Sequence, residues 1–239
     1  MSTLRDMNAS TAAEATQVDA LREAMIAELR ELEAIRCERV AEAFRAVPRH
    51  LFAPGEPLEA VYAADSALVT KRDEHGAAVS LVSSAHIQAT MLEQAQLGVG
   101  MRVLEIGSGG YNAALIAELV GESGKVVSVD IDPDIVDRTR DCLAAAGYSQ
   151  VDVVLADAED GVPDHAPYDR VIVTVGAWDI PPAWSDPVDD RRAGRKPPGQ
   201  PRLSAVWVRA DAGHWCPQRA GGRARRGQSQ PADRRGAAC

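Results

Sequence analysis

The spacing of apolar positions changes period several times along residues 17–184, and each change marks an element. Leu21, Met25, Ile26, Leu29 and Leu32 share one helical face, with Glu and Arg opposite, which predicts a helix over 18–32. A second helix is expected over 38–46, ended by Pro48, which disfavours helical geometry in the residue before it. Pro54, Gly55 and Pro57 keep the following stretch irregular, residues 71–76 read as a charged turn, and 79–82 as a short strand. Ser83 and Ser84 are good N-cap types for a helix over 85–96, which Gly98 and Gly100 close.

From residue 101 the pattern becomes an alternation of strands and helices. Val103, Leu104 and Ile106 form the apolar run of a strand buried on both faces, followed by a helix over 112–120 and a strand over 126–129. Pro133 suits the first turn of a helix whose buried stripe is Ile135, Val136, Thr139, Cys142 and Leu143, with Gly147 at its C-cap. Residues 151–155 and 168–175 read as third and fourth strands. This alternation predicts an α/β fold, a Rossmann-like doubly wound parallel sheet preceded by a helical segment, with ligands at the strand carboxyl ends.

The periodicity fails at both ends. Residues 1–16 are small and polar and are expected to be disordered. Residues 185–239 hold eleven Arg and one Lys against five Asp, and only 203–208 could form a strand. The sheet is therefore expected to be incomplete at its C-terminal side, and 185–239 to be a disordered basic tail. The division is 1–16, then 17–100 as a helical and substrate-side segment, 101–184 as the nucleotide-binding core, and 185–239 as the tail. The abrupt change after Trp184 reads as a shifted reading frame, with a genuine basic extension as the alternative.

Charge narrows the partners. The net −9 divides into +7 on 185–239 and −16 on 1–184, and an acidic body does not suggest nucleic acid. No apolar run approaches a membrane span, and residues 1–19 lack a signal core. Four widely spaced cysteines read as reduced thiols in a cytoplasmic protein, and His50, His75 and His86 have no metal-ligand spacing, so no metal is expected.

The candidate chemistry centres on Gly107-Ser108-Gly109-Gly110, between a strand and a helix, with Asp130 ending the next strand. An acid about 20 residues beyond a glycine turn is placed to take the two hydroxyls of a ribose. Asn112 stands where a dinucleotide fold tends to carry its third glycine, and Glu105 lies inside the strand end. A carboxylate there repels a pyrophosphate and tolerates the cationic amino-acid part of S-adenosylmethionine (SAM), so SAM is favoured over NAD. Asp157 follows the third strand and is placed for an adenine edge, and Thr174 ends the fourth.

Val47-Pro-Arg-His-Leu-Phe52, Tyr62-x-x-Asp65, Val82-Ser-Ser-Ala-His-Ile-Gln-Ala89, Leu104-Glu-Ile-Gly-Ser-Gly109, Val129-Asp130, Ala156-Asp157 and Ala166-Pro-Tyr-Asp-Arg-Val171 occur in that order. Together they resemble the protein-L-isoaspartate O-methyltransferases. Val69-Thr-Lys-Arg-Asp73, Gly107 to Ala113 and Val173 to Trp184 look like the FxLD-system branch, which accompanies lanthipeptide-type ribosomal peptides.

The resemblance implies a class I SAM-dependent fold and methyl transfer to an aspartyl or isoaspartyl carboxylate of a peptide or protein. It implies Ser83 as the active-site serine and matches His86 to a position that is His in some members. It assigns Glu105, Gly107, Gly109, Asp130 and Asp157 to the cofactor, and Ser108, Ile131, Ala158 and Thr174 complete the candidate binding set. Three departures stand out: a glycine loop one residue shorter, Ala85 in place of a proline, and a longer 71–78 segment. A carboxylate is already nucleophilic near pH 7, so no general base is required, and Ser83 would aim the acceptor oxygen. The ester could then collapse to a succinimide, interconverting Asp and isoAsp linkages. A SAM-dependent enzyme for a small acceptor and an inactive peptide-binding module are the competing readings, and the oligomeric state is left open.

Overall fold

The computed structural model describes residues 2–177, 179–185, 202–210 and 214–218. The helices are α1 (Ser2–Glu31), α2 (Glu38–Ala46), α3 (Leu58–Val61), α4 (Ala85–Ala95), α5 (Tyr111–Val120), α6 (Pro133–Ala145) and α7 (Pro182–Ser185). The strands are β1 (Leu68–Arg72), β2 (Ala78–Val82), β3 (Arg102–Ile106), β4 (Lys125–Asp130), β5 (Asp152–Leu155), β6 (Arg170–Val173), β7 (Arg202–Ala210) and β8 (His214–Gln218). β1 and β2 form a separate antiparallel hairpin. The other six make one sheet in the order β5-β4-β3-β6-β7-β8, parallel except for β8.

The register places alternate residues of each central strand on opposite faces. Leu104 stands between Val127 and Val171, and Ile106 between Val129 and Val173, and all six are buried in the core on one face. Val103, Val126 and Ile172 are buried in the core on the other face, under α5. Nine of the ten residues of α5 are buried. A helix apolar all round must be covered on both sides, and here α2 covers the side away from the sheet: the ring of Phe44 meets Tyr111 edge-on, 6.1 Å between centroids. The progression β3-β4-β5 runs one way from β3 and β6-β7 the other, which makes the carboxyl end of β3 the place where a crevice opens.

The structure corrects the sequence expectation at three places. Residues 2–16 are not irregular: α1 runs unbroken from Ser2 to Glu31, over a stretch with no Gly or Pro and several alanines, the best helix formers. Residues 68–72 form β1, which the sequence reading left unassigned because Lys71 and Arg72 interrupt the apolar pattern. The charged 71–76 turn is therefore the tip of a hairpin, in which Leu68 pairs with Val82 and Val69 with Leu81. Finally, the sheet does not stop at its fourth strand. β7 pairs with β6 and β8 with β7, because a 203–208 run of β-forming residues finds backbone partners on the β6 edge. The expected disorder of 185–239 is thus wrong for 202–210 and 214–218, and elsewhere beyond residue 185 it lies outside the described residues.

Phe44 is fully buried in the layer joining α2 to α5. Truncation to Phe44→Ala should cost about 3–5 kcal/mol of stability, read from a denaturant midpoint; a midpoint unchanged from the parent would show that the helical layer is not part of the cooperative core.

Candidate active site

A cavity of about 530 Å³ opens at the carboxyl ends of β3, β4 and β6, with β2 and the start of α4 on its other side. Of the residues singled out from sequence, Ser83, Glu105, Gly107, Ser108, Gly109, Asp130, Ile131 and Thr174 all line it. His86, Asp157 and Ala158 do not. The His86 ring nitrogen Nδ1 lies 3.3 Å from the Ala64 carbonyl, which also accepts the His86 amide. Asp157 is exposed at the end of β5, where it caps a short 3-10 turn by accepting the Glu159 amide. The Ala158 carbonyl accepts the Trp184 indole N–H at 2.7 Å.

The glycines act in different ways. Gly107 has φ +94°, and a Cβ there would come within 2.3 Å of Val175 Cγ1 and 2.7 Å of Thr174 Oγ1. Glycine is required at 107 so that the loop after β3 can pack on the loop after β6. Gly110, at φ +82°, is similarly confined by Phe52, whereas a Cβ on Gly109 would meet only the Leu81 carbonyl at 3.7 Å. Packing therefore accounts for Gly107 and Gly110, and only Gly109 leaves open space beside the backbone. Thr174 contributes through its hydroxyl, which sits 3.0 Å from the Ile106 carbonyl and 2.9 Å from that of Gly107 and ties β6 to the glycine loop.

One end of the cavity is acidic. Glu105 is the β3 residue that faces α5, in register with Ser128 on one side and Ile172 on the other. Its carboxylate accepts Asn112 Nδ2 at 2.8 Å and Ser128 Oγ at 2.5 Å. Burial pushes the Glu105 carboxyl up to about 7, against those two hydrogen bonds, with the Asp130 charge adding to the rise. Asp130 accepts the Ser108 amide at 2.9 Å and the Asp132 amide at 3.0 Å, which fixes its carboxylate at the end of β4.

The residues fit the SAM that the sequence suggests. Asn112 Oδ1 is buried and has no hydrogen-bond partner, while its residue lines the cavity beside Glu105. An ammonium group would supply that missing donor and face a carboxylate at once. Asp130 retains acceptor capacity for two ribose hydroxyls. Val79, Leu81, Ile131 and Val175 are large apolar side chains between 40% and 70% exposed, and all four line this cavity, an apolar margin suited to a flat base. Asn112 and Ser128 were not among the sequence candidates; the signal available was that Asn112 stands where a glycine was expected.

The β1–β2 hairpin is strapped across this end. Lys71 Nζ lies 2.6 Å from Asp132 Oδ2 and 2.9 Å from Asp134 Oδ2, joining the hairpin to the start of α6. The other end is different in charge. Ser83, Ser84, Ile87 and Gln88 bring the first turns of α4 to the cavity, and the Ser84 side chain makes no capping bond. Behind them lies the buried guanidinium of Arg49, bonded to the Ser83 carbonyl and to Gln88. The cavity can thus hold a cation at one end and an anion at the other. Among the described residues no group of three or more His, Cys, Asp or Glu is placed to hold a metal ion, and no helix is long and apolar enough to cross a membrane.

The comparisons agree with this geometry. Residues 20–192 match the family model for protein-L-isoaspartate(D-aspartate) O-methyltransferase (PCMT). The protein-L-isoaspartate O-methyltransferase of Methanococcoides burtonii is 41% identical over 176 residues, 73% of this chain and 83% of that protein. The one from Methanopyrus kandleri is 37% identical over 192 residues, 78% of this chain and 80% of that protein. A solved protein-L-isoaspartate O-methyltransferase superposes with a TM-score of 0.62 at 36% identity, covering 68% of this chain and half of that one, 50%. A putative Plasmodium falciparum relative in complex with S-adenosyl-L-homocysteine shares the fold, with a TM-score of 0.62 at 12% identity over 80% of this chain and 85% of its own.

Two outcomes follow for the acidic end. Glu105 binds its proton more tightly in the folded chain than an ordinary glutamate, so its contribution to stability is full below about pH 4.5 and is lost as the pH rises through about 7. Unfolding midpoints across that window should fall with pH in the parent and fall less in Glu105→Gln; identical pH profiles would refute the burial argument. Removing the unpartnered acceptor in Asn112→Ala should weaken SAM binding by about tenfold, the scale of one hydrogen bond to a charged group. Calorimetric titration with SAM measures this, and a parent-like affinity would take Asn112 out of the site.

Proposed function

The chain belongs to the protein-L-isoaspartate(D-aspartate) O-methyltransferase family and is a SAM-dependent methyltransferase of isoaspartyl carboxylates, and we propose that its cavity works by opposing charge. The observation that carries the reading is the polarity of that single cavity, with Glu105 and Asp130 at one end and Ser83, the α4 N-terminus and the buried Arg49 at the other. SAM supplies an activated methyl group on a sulfonium. Glu105 and Asn112 hold the cationic amino-acid part, Asp130 takes the ribose, and Ile131 packs on the base. Asp157 and Ala158 stand outside the cavity lining, at the end of β5, and Thr174 with Gly107 shapes the loop beneath.

The acceptor is a carboxylate, which attacks the methyl carbon directly. One C–O bond forms, one S–C bond breaks, and the electron pair returns to sulfur, so no proton has to be removed. The protein's tasks are to strip water from the acceptor and to align it. Ser83 aims the acceptor oxygen through its hydroxyl. His86 lies outside the cavity lining and acts, on this reading, by fixing the start of α4 against the Ala64 carbonyl.

We place the chain further in the FxLD branch, with a ribosomal peptide as acceptor in the cytoplasm. The support is the match of residues 69–73, 107–113 and 173–184. We also propose a frame shift after Trp184, on the abrupt change of composition there; a genuine basic extension is the alternative, and resequencing the gene past codon 184 separates them.

Incubation with methyl-labelled SAM should label a peptide containing isoAsp or a dedicated Asp, and should leave its Asn counterpart unlabelled. Ser83→Ala should lower turnover by roughly tenfold or more with little change in SAM affinity, whereas Asp130→Ala should weaken SAM binding first. Labelling of small carboxylic acids in preference to either peptide would replace this reading with a metabolite methyltransferase, and tight SAM binding without labelling would leave a binding module.

A further inference from the structure

Arg49 is fully buried, yet no carboxylate among the described residues lies within ion-pair distance of it. Its Nε donates to the Val61 carbonyl at 2.8 Å, its two terminal nitrogens to Gln88 Oε1 at 2.9 Å and the Ser83 carbonyl at 2.8 Å, with a longer contact of 3.5 Å to the Ser66 carbonyl. The guanidinium carbon stands 4.7 Å from the centre of the Tyr111 ring. Every one of these partners is formally neutral. A charge taken out of water is costly unless it is compensated, and buried arginines are ordinarily paired. Here the hydrogen bonds are satisfied and the charge is not.

Ser83, Gln88 and Tyr111 also line the cavity, while Arg49 itself does not. The cation therefore stands one side-chain layer behind the wall, on the side formed by Ser83 and Gln88. Protein walls screen such a charge less than water does, so part of it is felt in the cavity. The positive end of the eleven-residue α4 points to the same place.

We propose that Arg49 is a positioning residue for the acceptor, holding the Ser83 backbone in place and lending an unneutralised positive charge that selects an anionic group at that end of the cavity. This deepens the carboxyl methyltransferase reading and rests on it. The acceptor carboxylate becomes the counter-ion that the described residues do not supply. Its methyl ester is neutral, so the same charge that favours the substrate has no hold on the product.

The test compares three peptides that differ only at the acceptor, an isoaspartyl carboxylate, a sulfonate in its place, and the amide, binding in the presence of S-adenosylhomocysteine. The parent should bind both anions roughly tenfold or more tightly than the amide, the effect of one unit charge acting across a partly screened wall. Arg49→Lys keeps the charge without the planar fork, and should retain most of that preference while turnover falls. Arg49→Gln should bring the anion-to-amide ratio close to one, with S-adenosylhomocysteine affinity changed by no more than about twofold. A lost hydrogen bond alone would lower all three affinities together and leave the ratio intact. A parent without anion preference, a Lys variant that loses it, or a folded Gln variant that keeps it would each overturn the proposal. Should Arg49→Gln not fold, the parent ratio and the Lys variant still decide. A parent that methylates but shows no preference sinks this inference alone; one that prefers anions but methylates nothing sinks the functional reading and not this one.

Discussion

Glu105 is buried because of its place in the register. β3 is the central strand, Val103 and Ile172 face the same layer, and a carboxylate in that row must lie beneath the start of α5. The fold answers with two donors from different elements, Asn112 from α5 and Ser128 from β4. Ser128 Oγ also sits 2.9 Å from Ser108 Oγ, so the same contact reaches the glycine loop. The loop's shape, the start of α5 and the ends of two strands thus depend on one acid. Burial raises its proton affinity in spite of those two donors.

The glycine loop illustrates how a functional motif can be held by packing. Gly107 and Gly110 are glycines because neighbouring side chains occupy the space a Cβ would need. Thr174, Val175 and Phe52 are therefore as much a part of the loop's geometry as the glycines are. The Ser108 amide, fixed by this packing, donates to Asp130 and so sets the position of the acid at the end of β4.

The parts of the molecule legible in the sequence are those that local periodicity encodes. The α6 stripe of Ile135, Val136, Thr139, Cys142 and Leu143 is buried as a set, and the four core strands fall within a residue or two of where their apolar runs stand. Eight of the candidate site residues share one cavity, and six of them do so because the strand-turn-helix pattern of 101–132 fixes their order at the strand ends. Contacts between distant segments were not legible. The bond from Arg49 to the Ser83 carbonyl joins residues 34 apart in sequence, and Lys71 reaches Asp132 across 61. No spacing rule connects such positions, and Lys71 read as a solvated turn because its partners belong to another element. β7 and β8 were missed for a related reason, since their pairing depends on an edge supplied by β6.

The two ends of the cavity explain each other. An acidic end alone would suit any cation, and a buried arginine alone could be a structural bolt between α4 and the 49–66 segment. Placed in one cavity, they exclude a ligand pair of like charge, because each end repels one member. A sulfonium donor and a carboxylate acceptor meet both demands, and their reaction neutralises both charges, giving a thioether and an ester. The ester is then held less strongly than the carboxylate it came from, while S-adenosylhomocysteine keeps the ammonium and ribose that Glu105, Asn112 and Asp130 hold. The charge behind the helix start therefore favours binding of the acceptor before transfer and its release afterwards.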